Sequence, residues 1–97
     1  MKIMAVCGSG LGSSFMMEMN IKKVLKKMGI EAEVEHTDLA SVSPNDADVF
    51  VMAKDIAASS GIAEDKLIVV TNIVSLAEYE QKLTAYFQKI NVRRSLL

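Results

Sequence analysis

The feature that most constrains this chain is a glycine-rich segment near its start, where Gly8, Gly10 and Gly12 fall within five positions. The apolar residues 3–6, directly before Cys7, have the length and β-branching of a short buried strand. From residue 14 to residue 28 apolar positions recur at helical spacing and form one stripe. Glycines disfavour regular structure and allow backbone angles that other residues rarely adopt. The sequence therefore predicts a strand, a glycine-rich turn and a helix in succession.

Local signals place the ends of this first helix. Ser13 or Ser14 can act as its N-cap, because a serine hydroxyl can accept a hydrogen bond from a free N–H of the first turn. Gly29 stands where a helix commonly ends in a left-handed residue. Glu18 precedes Lys22 by four residues, which predicts an ion pair along the helix surface.

Three more strands are predicted, over residues 30–37, 48–52 and 67–70. The first alternates apolar residues with glutamates, as an edge strand with one wet face does, whereas the other two are apolar apart from Asp48 at the start of one of them. A short helix is predicted over residues 55–60, with Asp55 as its N-cap and Gly61 at its end. Strands that alternate with helices predict right-handed crossovers and a parallel sheet. We expect one α/β domain over residues 1–97, a reduced flavodoxin-like, Rossmann-like fold with strand order 2-1-3-4 and helices on both faces.

The last predicted helix opens at Ser75, with Glu78 three residues later as the second half of a capping box. Val74 and Tyr79 have the spacing of a hydrophobic staple across this helix start. The tail, residues 92–97, is expected to fray. The apolar face of the helix is predicted to comprise Leu76, Tyr79, Leu83, Tyr86, Phe87 and Ile90.

The composition excludes several classes of protein. A hydrophobic fraction of 51% is typical of a globular chain. A net charge of -1 gives no strong electrostatic attraction to nucleic acid or anionic lipid. One cysteine excludes an intramolecular disulfide, and one histidine adds little to a metal site. No segment offers the roughly 20 apolar residues that span a bilayer. We expect a cytoplasmic protein with a reduced thiol, no metal, no cofactor and no nucleic-acid partner.

The glycine-rich loop suggests the chemistry. In a doubly wound sheet, ligands bind beyond the carboxyl ends of the strands, where Cys7 is predicted to lie. Backbone N–H groups of residues 8–14 and the helix dipole can converge there on a dianion, and the same potential favours the thiolate form of Cys7. A thiolate inside a phosphate cradle suggests a phosphocysteine intermediate. The plainer alternative is a small buried thiol beside a tight turn.

Two chemistries combine a cysteine with such a loop. Low-molecular-weight tyrosine phosphatases have the pattern C-x5-R-S, but here Ser13 stands where the arginine is required. That arginine clamps the phosphoryl oxygens during hydrolysis. Its absence favours a carrier that does not lose its phosphoryl group to water. A redox role lacks a resolving cysteine, and an anion sensor would not need Cys7.

The stretch from Val6 through the loop to Met19 resembles the phosphorylation loop of enzyme IIB of the bacterial sugar phosphotransferase system. The run Gly12-Ser13-Ser14-x-Met16 makes it most similar to the L-ascorbate branch of the lactose/ascorbate/galactitol type, with the galactitol and lactose branches as alternatives. The resemblance implies a fold like that of the low-molecular-weight phosphatases. It also implies that Cys7 takes a phosphoryl group from a phosphohistidine of enzyme IIA and passes it to a sugar held by the membrane component IIC.

The same resemblance implies roles for the loop. It assigns backbone donors for the phosphoryl oxygens to Gly8, Ser9, Gly10, Leu11, Gly12 and Ser13. The hydroxyls of Ser9, Ser13 and Ser14 are further donors, unless Ser14 only caps the helix. No metal is implied, and a monomer is expected because the chain meets its partners in turn.

Several residues outside the loop have two interpretations. Phe15, Met16 and Met19 lie off the apolar stripe and are interpreted as a docking surface rather than core. His36 is interpreted as a surface or edge histidine rather than a general base for Cys7. Thr71 and Asn72 are assigned nothing beyond support of the loop, and so is Asp55. A basic helix face is interpreted as solvated and ion-paired rather than as a surface for an acidic partner; it comprises Lys22, Lys23, Lys26 and Lys27.

Overall fold

The computed structural model describes residues 1–8 and 12–96, with side chains up to residue 90. The described residues form four strands and three helices, with one turn of 3-10 helix at Glu64–Lys66. The second and third strands follow each other without a helix between them, whereas helical segments separate the other strands. The strands are β1 (Lys2–Cys7), β2 (Glu33–Asp38), β3 (Val49–Ala53) and β4 (Leu67–Val70). The helices are α1 (Gly12–Met28), α2 (Lys54–Ser60) and α3 (Leu76–Leu96).

The strands form one parallel sheet in the order β2-β1-β3-β4, which confirms the predicted topology. Ile3 and Ala5 of β1 face a cluster built with α1 and α3, including Met17, Ile21 and Leu83. The alternate residues of β1 face a second, smaller cluster that includes side chains of α2. Helices therefore cover both faces, and the carboxyl ends of all four strands share one edge of the sheet.

The end of α1 explains why β2 begins later than predicted. Gly29 is left-handed, with φ of 71°, as predicted. Its N–H donates to the carbonyl of Lys26, and the N–H of Ile30 donates to the carbonyl of Leu25. This pair of bonds is a Schellman motif. Because it ties Ile30 to the helix, residues 30–32 are not in the strand, and β2 starts at Glu33 as an edge strand.

Two predicted helix starts are wrong. α1 begins at Gly12, so Ser13 and Ser14 lie inside its first turn rather than in front of it. α2 begins at Lys54 with Ala53 as its N-cap, and no side chain caps it. Asp55 therefore lies in the first turn, where its charge faces the positive end of the helix dipole. Gly61 ends α2 in the left-handed region, as predicted.

The start of α3 confirms half of the predicted capping box. The N–H of Glu78 donates to Ser75 Oγ at 3.2 Å. The Glu78 carboxylate, however, does not reach back to Ser75 in the contacts described; it accepts the N–H groups of Thr71 at 2.6 Å and Asn72 at 2.7 Å, and also the Thr71 hydroxyl. Glu78 thus fixes the connection that leads from β4 into α3.

The predicted hydrophobic staple is wrong. Val74 is 62% exposed, whereas its neighbour Ile73 packs against the core. The Tyr79 hydroxyl donates to the Ile73 carbonyl at 2.6 Å, and burial raises the pKa of Tyr79 to about 12. Leu76 is also exposed and lies outside the apolar face that Tyr79 and Leu83 form. The backbone of α3 is helical to Leu96, while fraying at its end stays a prediction.

We predict that Glu78→Gln weakens the fold by about 1 kcal/mol at neutral pH, because an amide is a weaker acceptor than a carboxylate. Hydrogen bonds from Thr71 and Asn72 lower the pKa of Glu78 below its ordinary 4.5, although burial opposes them. The charged form is therefore stabilised in the folded state, and that stability is present above 4.5 and lost as the pH falls through the folded value.

Urea denaturation at neutral pH and at about pH 3 measures this contribution. The variant should differ from the wild type at neutral pH and approach it in acid. Glu80→Gln is the matched control, since Glu80 contacts only the exposed Lys27 among the ion pairs described. An equal stability difference at both pH values would contradict the prediction.

Candidate active site

Cys7 is the last residue of β1 and lies at the carboxyl edge of the sheet, as predicted. Its side chain is 5% exposed, and Sγ lies 3.8 Å from the Thr37 carbonyl oxygen, close enough for a weak S–H donation. The Cys7 carbonyl accepts the N–H of Leu39 at 2.8 Å. Strand alternation places Cys7 on the same face as Ala5, which is the face that α1 covers. The thiol is therefore fixed in place where α1 begins.

The loop after Cys7 is described at its two ends. Ser9, Gly10 and Leu11 lie outside the described residues, so their predicted amide donors stay predictions. Unlike Gly29 and Gly61, Gly8 does not have a positive φ. It approaches α2 closely, because an added Cβ would lie 2.8 Å from Ile56 Cδ1. A larger residue at this position would therefore require the end of the Ile56 side chain to shift.

The amino end of α1 supplies the electrostatics of the site. No acidic residue occupies its first turn. The positive end of the helix dipole is therefore not neutralised by an acidic side chain of the first turn. Ser13 is exposed in this first turn, whereas Ser14 is fully buried. A thiol at a strand end beside an uncompensated helix start is suited to bind and transfer a dianionic phosphoryl group.

A second polar cluster lies beside this helix start, and the sequence did not reveal it. Glu18 of α1 is only 9% exposed, and its carboxylate lies 3.0 Å from His36 Nδ1 and 3.2 Å from Lys22 Nζ. Burial raises the pKa of Glu18, but the hydrogen bonds from His36 and Lys22 outweigh it and lower the pKa overall. The Phe15 ring meets the His36 ring edge-to-face, with centroids 5.6 Å apart.

His36 lies on edge strand β2, as the sequence predicted, but it is half-buried and partnered rather than a free surface side chain. The sequence indicated only the local contact between Glu18 and Lys22, which is confirmed. The period-two pattern of β2 was the one sequence signal that His36 is half-buried, because it places His36 on the same face as the buried Val34.

The predicted docking residues differ in exposure. Phe15 is 50% exposed, Met19 is 44% exposed and Met16 is half-buried, whereas Met17 is core. Phe15 and Met19 therefore present apolar surface next to the loop. Exposed apolar side chains beside a site are suited to contact with a partner protein.

The remaining predicted residues have structural partners. Thr71 and Asn72 lie at the end of β4 and bind Glu78. The basic face of α1 is exposed and partly paired, through Lys22 with Glu18 and Lys27 with Glu80, which confirms the predicted ion pairs. Within residues 1–8 and 12–96, no three side chains of the metal-binding types gather into a group that could hold an ion. None of the helices described has the length and apolarity needed to cross a membrane.

Comparison with known proteins places the chain among phosphotransferase-system components. The family model described as "PTS system, Lactose/Cellobiose specific IIB subunit" matches residues 2–85. An "Ascorbate-specific PTS system EIIB component" of Mycoplasma pneumoniae is 26% identical over 85 residues, which cover 84% of this chain and 90% of the relative. The protein of the same description from Salmonella choleraesuis is 31% identical and covers 84% of each chain.

Two solved structures share the fold. The lactose-specific IIB domain of Streptococcus pneumoniae superposes with a TM-score of 0.57 at 13% identity, covering 91% of this chain and 95% of that one. A low molecular weight protein tyrosine phosphatase from Bacillus subtilis superposes with a TM-score of 0.56 at 19% identity, covering 92% and 98%. At these identities the likeness concerns the fold alone, and it confirms the predicted kinship with the phosphatase fold.

Proposed function

The chain belongs to the IIB subunits of the phosphotransferase system, and from this premise we propose that Cys7 is its phosphoryl-carrying residue. The observation behind the proposal is the position of the thiol. Cys7 is the only cysteine, it ends β1, and four residues separate it from α1, whose first turn carries no acidic residue. A thiolate there is a nucleophile, and backbone donors that follow it in the chain would hold a transferred phosphoryl group.

The proposed reaction has two balanced steps. In the first, Cys7 Sγ attacks the phosphorus of a phosphohistidine on enzyme IIA; the S–P bond forms, the N–P bond breaks, and the imidazole keeps the electron pair and takes up the proton that the thiol has lost. In the second, a hydroxyl of the sugar in IIC attacks the same phosphorus; the O–P bond forms, and the thiolate leaves. The hydroxyl proton passes to a base on the acceptor side. Each step needs positioning and charge stabilisation more than acid–base chemistry on this chain.

We propose that the loop holds the phosphoryl oxygens through backbone N–H groups. The proposed donors are Gly8, Ser9, Gly10, Leu11, Gly12 and Ser13. Serine hydroxyls at positions 9 and 13 add donors, whereas the burial of Ser14 favours a structural role. The loop contains no arginine or lysine, and this absence favours retention of the phosphoryl group over hydrolysis.

L-ascorbate is the proposed sugar, supported by the two ascorbate-specific relatives. The family model has a lactose/cellobiose description, so the sugar depends on which IIA and IIC the chain serves. We propose that it acts as a monomer in the cytoplasm and binds IIA and IIC in turn. These finer assignments depend on the phosphoryl relay and on the IIA partner that the next experiment identifies.

Intact mass spectrometry after mixing the protein with phosphoenolpyruvate, the general phosphotransferase proteins and one IIA at a time tests the relay. We expect a gain of one phosphoryl group with a single IIA type, and the ascorbate-type IIA in particular. A gain with a galactitol or lactose IIA instead would keep the relay and change the sugar. A folded protein that gains nothing from any IIA would contradict the proposed function.

We further propose that IIA contacts Phe15, Met16 and Met19. Met19→Asp should weaken IIA binding about tenfold, because a carboxylate would be desolvated at an apolar contact. The thermal midpoint should not change, since Met19 is 44% exposed. Ala58→Asp, at an exposed position of α2 on the opposite face, is the control. Calorimetry with IIA makes the measurement, and equal affinity for both variants would contradict the docking role.

A further inference from the structure

Glu18 is the only charged side chain that is buried within the described part of the chain. Burying a carboxylate is costly unless it is paired and hydrogen-bonded. Lys22 supplies one partner from the next turn, and its own side chain is largely exposed. The second partner, His36, comes from another element, eighteen residues away. Glu18 therefore connects α1 to the edge strand.

The position of His36 gives this connection its significance. His36 pairs with Ala5 in the sheet register, so it lies one strand away from Cys7 and two residues back from its level. One edge of its ring bonds Glu18, and the ring also meets the Phe15 ring edge-to-face at 5.6 Å and an interplanar angle of 82°. Phe15 precedes Glu18 by three residues, so both side chains lie on the same side of α1.

We propose that Glu18 and His36 are positioning residues that hold the half-exposed Phe15 ring in the orientation in which IIA contacts it. This inference rests on the proposed function, in which Phe15 belongs to the docking surface. An exposed aromatic side chain loses rotamer freedom when a partner binds. A ring already held by a fixed imidazole loses less, so the donor binds more tightly without any new contact to the partner. Edge-to-face pairs are attractive enough to provide such a hold.

The geometry distinguishes this role from that of a general base. The imidazole contacts Glu18 through Nδ1 and forms a T-shaped pair with the Phe15 ring, whereas the Cys7 thiol has the Thr37 carbonyl as the neighbour described. The expected consequence is an effect on donor binding and not on the chemical step.

The substitution His36→Asn tests the role, since its amide can still donate to Glu18 while the ring that touches Phe15 is gone. We measure single-turnover phosphoryl transfer at increasing concentrations of phosphorylated IIA. His36→Asn should raise the half-saturating concentration about threefold to tenfold and leave the maximal rate unchanged. Glu18→Ala should act in the same direction. Glu80→Gln, which removes an exposed carboxylate of α3 that pairs with Lys27 of α1, should have no effect.

A double-mutant cycle separates positioning from general stabilisation. Phe15→Ala should raise the half-saturating concentration, and adding His36→Asn to it should raise the value no further, because the imidazole then has no ring to hold. Multiplicative effects of the two substitutions would overturn the inference, and so would a lower maximal rate at an unchanged half-saturating concentration. A wild-type value for Phe15→Ala would also overturn it while leaving Cys7 as carrier. Failure of the wild-type protein to gain a phosphoryl group would instead reject the proposed function.

Discussion

Cys7→Ser should abolish phosphoryl uptake from IIA and leave the fold intact. A serine hydroxyl is a weak nucleophile without an adjacent base, and no such base is described at the end of β1. The mass gain seen for the wild type should fall to background. Stability should fall by only about 1 kcal/mol, since the hydroxyl is smaller than the thiol and lies farther from the Thr37 carbonyl than Sγ does.

Cys7→Ala is the matched control, because it cannot form any phosphoester at this position. Thermal unfolding of both variants establishes that they are folded, and intact mass after incubation with phosphorylated IIA measures uptake. A phosphoryl gain at the wild-type rate in Cys7→Ala would place the carrier elsewhere. The chain's one histidine, His36, would then be the next nucleophile to test.

Ser13→Arg should shorten the lifetime of the phosphorylated protein by about tenfold or more. Position 13 is where the phosphatase pattern has its arginine, and Ser13 is exposed in the first turn of α1, so a longer side chain has room. A guanidinium can bind two phosphoryl oxygens at once and stabilise the charge that develops during hydrolysis. The gain is limited because the chain has no Asp-Pro segment to supply acid–base catalysis.

Ser13→Lys is the control for charge alone, since an ammonium lacks the planar fork of donors. The loss of the phosphoryl group from purified phosphoprotein, followed by intact mass, measures the lifetime. We expect the order of lifetimes to be wild type, then Ser13→Lys, then Ser13→Arg. Equal lifetimes for the wild type and Ser13→Arg would contradict the view that the missing arginine is what distinguishes this carrier from a phosphatase.

Much of the architecture could be predicted because it depends on local patterns. The uninterrupted apolar runs predicted β3 and β4 to within one residue, and the 3.6-residue stripe predicted α1. The position of Cys7 followed from the end of such a run and the glycine after it. The prediction failed at the start of β2, where backbone hydrogen bonds tie Ile30 to α1, and at Glu78, whose carboxylate binds other donors than the predicted one.

Glu78 illustrates such a failure. Its spacing from Ser75 predicts a capping box, and the Ser75 hydroxyl takes its predicted partner. The carboxylate instead binds Thr71 and Asn72, because the chain turns sharply enough after β4 to bring their N–H groups within reach. Which of two available donors a carboxylate binds depends on the path of the loop, and that path is set by the packing of α3 on β4.

The sequence by itself determined the order of strands and helices, the topology and the place of the thiol, because periodic burial and glycine positions act over a few neighbouring residues. Only the tertiary structure decided which side chains meet across elements. Glu18 lies beside His36 because β2 pairs with β1 in the observed register and because the rotation of α1 about its own axis turns Glu18 toward β2. Neither the register nor the rotation is encoded near Glu18; both come from the burial of the whole core.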